Sequence, residues 1–130
     1  MLILIIDDSE VFRNRLVEML SVNKNSKKFI EANNILEAKE IMQDFLPSIL
    51  ITDIRMPGGN GIDLIKEMRK NNQTTTVMVM TNYPEEQYQI ESLKAGADYF
   101  FDKSNDMEKL SEIIDSLSKE GNEVLNVSSF

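Results

Sequence analysis

The chain is expected to fold as one α/β domain, a five-stranded parallel sheet with helices on both faces. Three observations predict it. Short apolar runs alternate five times with stretches of helical period. The first run, Leu2–Ile6, is apolar throughout, as in a strand buried on both faces. The length of 130 residues suits a single compact domain with one sizeable core.

The elements follow in order. After Leu2–Ile6, Ser9 stands where a helix cap is expected, and Phe12, Leu16, Met19 and Leu20 recur at helical spacing. Lys28–Ala32 is a second, more polar strand, placed at a sheet edge. Ala38, Ile41, Met42 and Phe45 form the next helical stripe, which Pro47 stops. Ser48–Thr52 is the third strand and Met56–Gly61 a turn rich in Pro and Gly. Ile62, Ile65 and Met68 mark a third helix, and Thr76–Met80 a fourth strand. Tyr83–Pro84 opens a fourth helix, with Pro84 near its first turn, and the helix ends about Ala95–Gly96. Tyr99–Phe101 is a short fifth strand, and Leu110, Ile113, Ile114 and Leu117 line a last helix. Residues 1–119 make up the domain. Residues 120–130, polar apart from Val124, Leu125, Val127 and Phe130, read as a C-terminal tail or linker stub.

Composition narrows the chemistry. The chain has no cysteine, which excludes disulfides and thiolate sites, and no histidine, which excludes imidazole acid–base chemistry. Any metal must be held by oxygen, which favours magnesium, calcium or manganese. A formal net charge of -8 argues against this chain alone holding nucleic acid through its phosphates. No apolar run approaches the roughly 20 residues of a membrane span, and Met1–Ile6 has no basic flank as a signal peptide would. A cytoplasmic location is expected.

In open α/β sheets, sites form outside the carboxyl ends of the strands. Here the first strand ends in Asp7 and Asp8, the third in Asp53, the fourth in Thr81, and the fifth just before Lys103. Each residue alone has a plain structural use: the Asp7–Asp8 pair as a helix-start signal, Asp53 as a turn former, Thr81 as a cap, Lys103 as a solvated surface cation. Their joint occurrence at strand ends is the informative feature. Three clustered carboxylates repel one another and call for a cation. Lys103 supplies one positive charge, and a hard divalent ion with oxygen ligands supplies the rest. A carboxylate is able to attack phosphorus to give an acyl phosphate, whose oxygens then need metal, ammonium and hydroxyl partners.

The stretches Ile5-Ile6-Asp7-Asp8-Ser9, Thr52-Asp53-Ile54-Arg55-Met56-Pro57-Gly58-Gly59-Asn60-Gly61, Val77-Met78-Val79-Met80-Thr81 and Lys94-Ala95-Gly96-Ala97-Asp98-Tyr99-Phe100-Phe101-Asp102-Lys103 resemble the response-regulator receiver domain of two-component signalling. The resemblance covers Met1 to about Lys119. It implies a flavodoxin-like (CheY-like) sheet of order 2-1-3-4-5. It implies Asp53 as phosphoacceptor, and Asp8, Asp53 and the Arg55 backbone carbonyl as magnesium ligands, with Asp7 acting through water and manganese as an alternative ion. Thr81 and Lys103 are then the phosphoryl-binding residues, and Phe100 the switch aromatic. The phosphoryl group comes from a histidine kinase or a histidine phosphotransfer protein. Output is expected through a face of helix 4, strand 5 and helix 5, drawing on Gln87, Tyr88, Glu91, Lys94, Lys103, Glu108 and Glu112, which is also a possible homodimer surface. The domain is then a signalling module whose own chemistry is limited to self-phosphorylation and slow autodephosphorylation.

Three departures from the common family pattern stand out. Ser104 follows Lys103 where proline is frequent. Phe100 replaces a tyrosine, leaving packing as its means of reporting. Arg55 and Tyr83 fill two variable positions that tune dephosphorylation, and their bulk predicts slow loss of the phosphoryl group. Two other readings compete. An aspartate-based phosphohydrolase of the haloacid-dehalogenase group wants Asp-x-Asp on the first strand, whereas this chain has Asp7-Asp8-Ser9-Glu10. A receiver that binds partners without phosphate would have lost part of the acidic set, which here is intact.

Overall fold

The computed structural model describes residues 1–22 and 26–128, with side chains described through Ser118. Five strands, β1 (Leu2–Ile6), β2 (Lys28–Ala32), β3 (Ile49–Thr52), β4 (Thr76–Thr81) and β5 (Tyr99–Asp102), form one parallel sheet of order 2-1-3-4-5. Five helices connect and follow them: α1 (Glu10–Leu20), α2 (Ile35–Asp44), α3 (Gly61–Arg69), α4 (Glu86–Ala95) and α5 (Met107–Ser128). Strand order reverses at β1, with β2 built to one side of it and β3 to the other, which places a crevice at the carboxyl ends of β1 and β3.

Successive side chains of a strand point to opposite faces, and both faces of this sheet are covered. Ile3, Ile5, Ile49, Ile51, Met78 and Met80 pack with Leu16 and Leu20 of α1 and with Leu110 and Ile114 of α5. Leu4, Ile6, Leu50, Val77 and Val79 pack with residues of α2 and α3 on the other face, including Ala38, Ile62 and Ile65. This two-sided burial is why the strands carry no polar alternation. β2, at the edge, is less buried, as its more polar sequence predicts.

Several boundaries differ from the sequence expectation, for local reasons. The expected Met56–Gly61 turn contains a small antiparallel pair, Arg55–Met56 with Gly59–Asn60, closed by Pro57 and by Gly58 at φ 80. Gly61 already belongs to α3, whose N-cap Asn60 accepts from the Ile62 N–H at 2.7 Å. Phe45, expected on the α2 stripe, is instead its extended C-cap and is 51% exposed. Pro84 lies outside the first turn of α4, which starts at Glu86 with Glu85 as N-cap. The Thr81 hydroxyl accepts from the Tyr83 N–H at 3.0 Å and turns the chain before the helix begins. On α1 the buried stripe is Arg13, Leu16 and Leu20, with Phe12 only half-buried. The α5 backbone continues to Ser128, through most of the stretch read as a tail. The side chains of Val124, Leu125 and Val127, and all of Phe130, lie outside the described residues.

Candidate functional site

The carboxyl edge of the sheet gathers the residues that the strand ends predicted. Carboxylate oxygens of Asp7, Asp8 and Asp53 lie within 4.8 Å of one another. The Lys103 ammonium joins them, 2.8 Å from Asp53 Oδ2 and 2.5 Å from Asp7 Oδ2. The same ammonium lies 4.3 Å from the centre of the Phe12 ring, a cation–π contact that closes one side of its pocket.

Each member is positioned by its own backbone. The Asp53 N–H donates to the Ile6 carbonyl at 3.2 Å, and Asp53 Oδ1 accepts from the Ile54 N–H at 2.6 Å. The Thr52 hydroxyl donates to the Asp53 carbonyl at 2.8 Å. Gly61 packs directly beneath: a Cβ built there would lie 2.0 Å from the Asp53 carbonyl oxygen, so glycine is required by close approach. Asp7 Oδ1 accepts from the Ser9 N–H at 2.9 Å, and the Ser9 hydroxyl caps α1 by accepting from the Phe12 N–H at 3.2 Å. Asp7 and Asp53 are buried, and Asp8 is exposed at the mouth.

The electrostatics follow from that burial. Burial pushes the Asp7 carboxyl above its ordinary value, against the opposing pull of Lys103 and of the Ser9 N–H, and the Asp53 charge adds to the rise. For Lys103, burial by itself favours the neutral amine. The hydrogen bonds and charges of Asp53 and Asp7 outweigh it, and the ammonium is held above the ordinary lysine value. An all-oxygen cluster with this much negative charge fits a hard divalent cation. Asp8 and Asp53 present carboxylate oxygens to such an ion, and both carboxylate oxygens of Asp7 are engaged, one by Ser9 and the other by Lys103.

Thr81 is fully buried at the end of β4, and its carbonyl accepts from the Lys103 N–H at 2.9 Å. Phe100 is half-buried against the core face shared with Tyr88 of α4. Tyr99 points to the opposite face and stacks on Phe101, with ring centres 5.9 Å apart. The Arg55 side chain leans over the crevice, its guanidinium 4.5 Å from the Tyr83 ring centre and hydrogen-bonded to the Tyr88 hydroxyl. After Lys103 the turn is built by acids: Asp102 accepts from the Ser104 N–H at 2.9 Å, and Asp106 accepts from the Asp102 N–H at 2.8 Å. Lys103, which was also placed on the expected output face, is turned into the site instead, its side chain 9% exposed.

Sequence reasoning missed two features. Arg13 is 6% exposed and bonded to Glu31 and to the Asp7 carbonyl. Its helical spacing to Leu16 and Leu20 was the one hint, outweighed in the sequence by Phe12 on the neighbouring position. On α4, Ile90 and Leu93 are each 46% exposed, an apolar pair on the expected output face.

A doubly wound parallel sheet with an acid cluster at its switch point and a lysine reaching into it defines an open α/β domain with a site at the carboxyl edge. The chain belongs to the response-regulator receiver domain family, whose model matches residues 3–115. It is a receiver domain of two-component signalling. It is 32% identical over 117 residues to the chemotaxis protein CheY of Thermotoga maritima, covering 90% of this chain and 97% of that protein. It is 34% identical over 112 residues to the regulatory protein AtoC of Escherichia coli, covering 86% of this chain and 24% of AtoC. The chain spans between 24% and 44% of the length of four of the curated relatives that it matches. A response regulator protein from Burkholderia pseudomallei, solved with a phosphorylated aspartic acid, a calcium ion and citrate, superposes with a TM-score of 0.77 at 21% identity, covering 98% of this chain and 74% of that one. Among the described residues, no helix is long and apolar enough to cross a membrane.

Proposed function

We propose that Asp53 is the phosphoacceptor and that its phosphorylation switches the surface of α4, β5 and α5. The observation that carries this reading is the convergence at the carboxyl edge of Asp7, Asp8 and Asp53, with carboxylate oxygens within 4.8 Å of one another, around a Lys103 ammonium bonded to Asp7 and Asp53. In the reaction a carboxylate oxygen of Asp53 attacks phosphorus. The bond from phosphorus to the donor breaks, and the leaving group is the imidazole of a partner histidine kinase or phosphotransfer protein, or acetate from acetyl phosphate. The chain has no histidine, so the donor is external. A bound magnesium ion, or manganese in its place, would neutralise the phosphoryl oxygens. Lys103 pairs with one phosphoryl oxygen. A cavity of about 550 Å³ beside Lys103, lined in part by Ser9, Phe12, Arg15 and Asn82, offers the donor a way in.

Switching runs through Thr81 and Phe100. The Thr81 hydroxyl now accepts from the Tyr83 N–H, and turning toward a phosphoryl oxygen releases that bond and loosens the lead into α4. Phe100 then has room to move inward on the α4 side of the sheet. Ile90 and Leu93 give the output face an apolar centre for a partner or for a second copy of the chain. Residues 1–119 act as the receiver, and the last helix continues from there to Ser128. The net charge of -8 leaves direct nucleic-acid contact to a partner. The domain acts in the cytoplasm as a signalling module and not as a turnover enzyme.

The test is treatment of the chain with acetyl phosphate and magnesium. One alkali-labile phosphate per chain, lost in Asp53→Asn, is expected by intact mass. Phosphate retained in Asp53→Asn, or many turnovers of donor per chain, overturns the reading. Arg55 and Tyr83 shield the acyl phosphate from water, so the phosphorylated state is expected to outlast seconds, and Arg55→Ala, which keeps the backbone carbonyl, to shorten it.

A further inference from the structure

We propose that Arg13 is a positioning residue for the cation site: clamped between the Glu31 carboxylate and the Asp7 carbonyl, its guanidinium fixes the Asp7–Ser9 turn so that Asp7 and Asp8 face one ion. The proposal rests on the functional reading above and extends it to a residue outside the acidic cluster.

The geometry carries it. Arg13 lies one turn into α1 on the stripe that faces the sheet, with Leu16 and Leu20. A cation at 6% exposure on an apolar stripe is costly to desolvate unless its donors are used. Here they are used in a particular direction. Nε donates to Glu31 Oε1 at 3.0 Å, reaching across to β2, and Nη1 donates to the backbone carbonyl of Asp7. The planar fork of arginine meets both acceptors at once, which a lysine ammonium on a single stem does less well. The Ser9 end of the turn is held by the helix itself, through the Arg13 N–H donating to the Ser9 carbonyl at 3.0 Å, which leaves the Asp7 end to the guanidinium.

Asp8 is the member of the cluster that most needs such help. It is exposed, whereas Asp7 and Asp53 are buried in hydrogen bonds of their own. Its carboxylate is not among the hydrogen-bonded or ion-paired groups of the described residues, so the backbone on either side of it sets its aim. Asp7 N–H donates to the Ala32 carbonyl at 3.1 Å, Asp7 carbonyl accepts from Arg13, and Ser9 is tied as the cap of α1. Without Arg13, the peptide joining Asp7 to Asp8 loses its side-chain donor and the turn gains freedom. Partners that orient the groups around a metal affect affinity about 10–100-fold when removed.

Positioning and charge predict opposite signs. Arg13 is positive and close to the ion's place, so as a charge alone it repels the ion, and removing it would tighten binding. As a positioning residue, its removal weakens binding. The experiment titrates the native chain, Arg13→Met and Arg13→Lys with Mn²⁺, reading free Mn²⁺ by electron paramagnetic resonance, with the unfolding of each metal-free protein followed in parallel. A Mn²⁺ dissociation constant raised about tenfold or more in folded Arg13→Met, and only partly restored in Arg13→Lys, supports the proposal. A folded Arg13→Met that binds Mn²⁺ as tightly as the native chain, or more tightly, overturns it, even if its melting temperature falls. Should Arg13→Met not fold, Arg13→Lys decides by itself, since it keeps the charge and loses the planar fork: weaker Mn²⁺ binding supports the proposal and unchanged binding overturns it. A native chain that binds no Mn²⁺ removes the functional reading and the proposal together, whereas a native site that binds while the variants match it removes the proposal alone.

Discussion

At the end of β1 every polar group of Asp7 is engaged: its N–H with Ala32, its carbonyl with Arg13, one carboxylate oxygen with Ser9 and the other with Lys103. At the end of β4 the Thr81 hydroxyl holds one bond, to Tyr83, and leads into a helix with no side-chain cap. That helix, α4, buries only Ser92 and Ala95, and the buried Ser92 hydroxyl has no hydrogen-bond partner among the described residues. The two corners border one site. The first, where charges must be held in place, is over-determined. The second, where a signal must leave, has few anchors, and segments with few buried contacts open at lower free-energy cost than the rest of a domain.

Substitutions that tighten one corner or loosen the other test this contrast. Gly61→Ala has the largest expected effect on the held corner. The added methyl would sit 2.0 Å from the Asp53 carbonyl oxygen, and forced overpacking costs about 1–3 kcal/mol. A lower melting temperature together with slower phosphorylation by acetyl phosphate is the expected pair of results. Unchanged values would mean that the backbone at Asp53 yields easily.

The ion pairs of Lys103 give a pH signature on the same side. Its folded-state value is raised above the ordinary 10.5, so its contribution is present in full below 10.5 and is lost as the pH rises through the higher folded value. Urea unfolding of the metal-free chain is expected to show that alkaline loss, and Lys103→Met to lack it. At the acid end Asp7 holds its proton to a higher pH than an ordinary aspartate at 3.8, so protons compete with a divalent ion sooner on acidification. Mn²⁺ affinity that stays flat down to 3.8 would contradict this.

Smaller effects belong to the loose corner. Ser92→Ala removes an unpaired buried hydroxyl and is expected to leave stability unchanged or raise it by about 1 kcal/mol, with stronger amide-exchange protection along α4. A clear loss of stability would mean that the hydroxyl has a partner. Smallest is Glu85→Ser, which offers α4 the capping oxygen it lacks. A gain of about 0.5–1 kcal/mol in chemical denaturation is expected, alongside weaker output from a helix now harder to move.

Much of this architecture was legible in the sequence. Apolar runs marked β1, β3 and β4 because a sheet covered on both faces leaves no room for polar alternation, while β2 and β5 at the edges showed weaker signals; the strand ends pointed to Asp7, Asp8, Asp53 and Lys103, which the fold brings together. What escaped was set by packing across elements. Arg13 reads as a surface arginine until Glu31 on β2 and the Asp7 carbonyl are seen to meet it. Phe45 fits the α2 period, but the chain turns out at that residue to reach β3, and the ring is left exposed. Lys103 has the composition of an output face and the position of a site, and only its 2.5 Å contact with Asp7 decides between them.

The tyrosines give this chain its own optical probe. It has no tryptophan, so its ultraviolet emission comes from three phenols. Tyr83 and Tyr88 both lie against the Arg55 guanidinium, while Tyr99 is stacked on Phe101 at the far face of the sheet. Any event at the crevice that shifts Arg55 alters the surroundings of two emitters and spares the third. Binding and its kinetics should therefore be readable from the unlabelled protein in a stopped-flow fluorimeter.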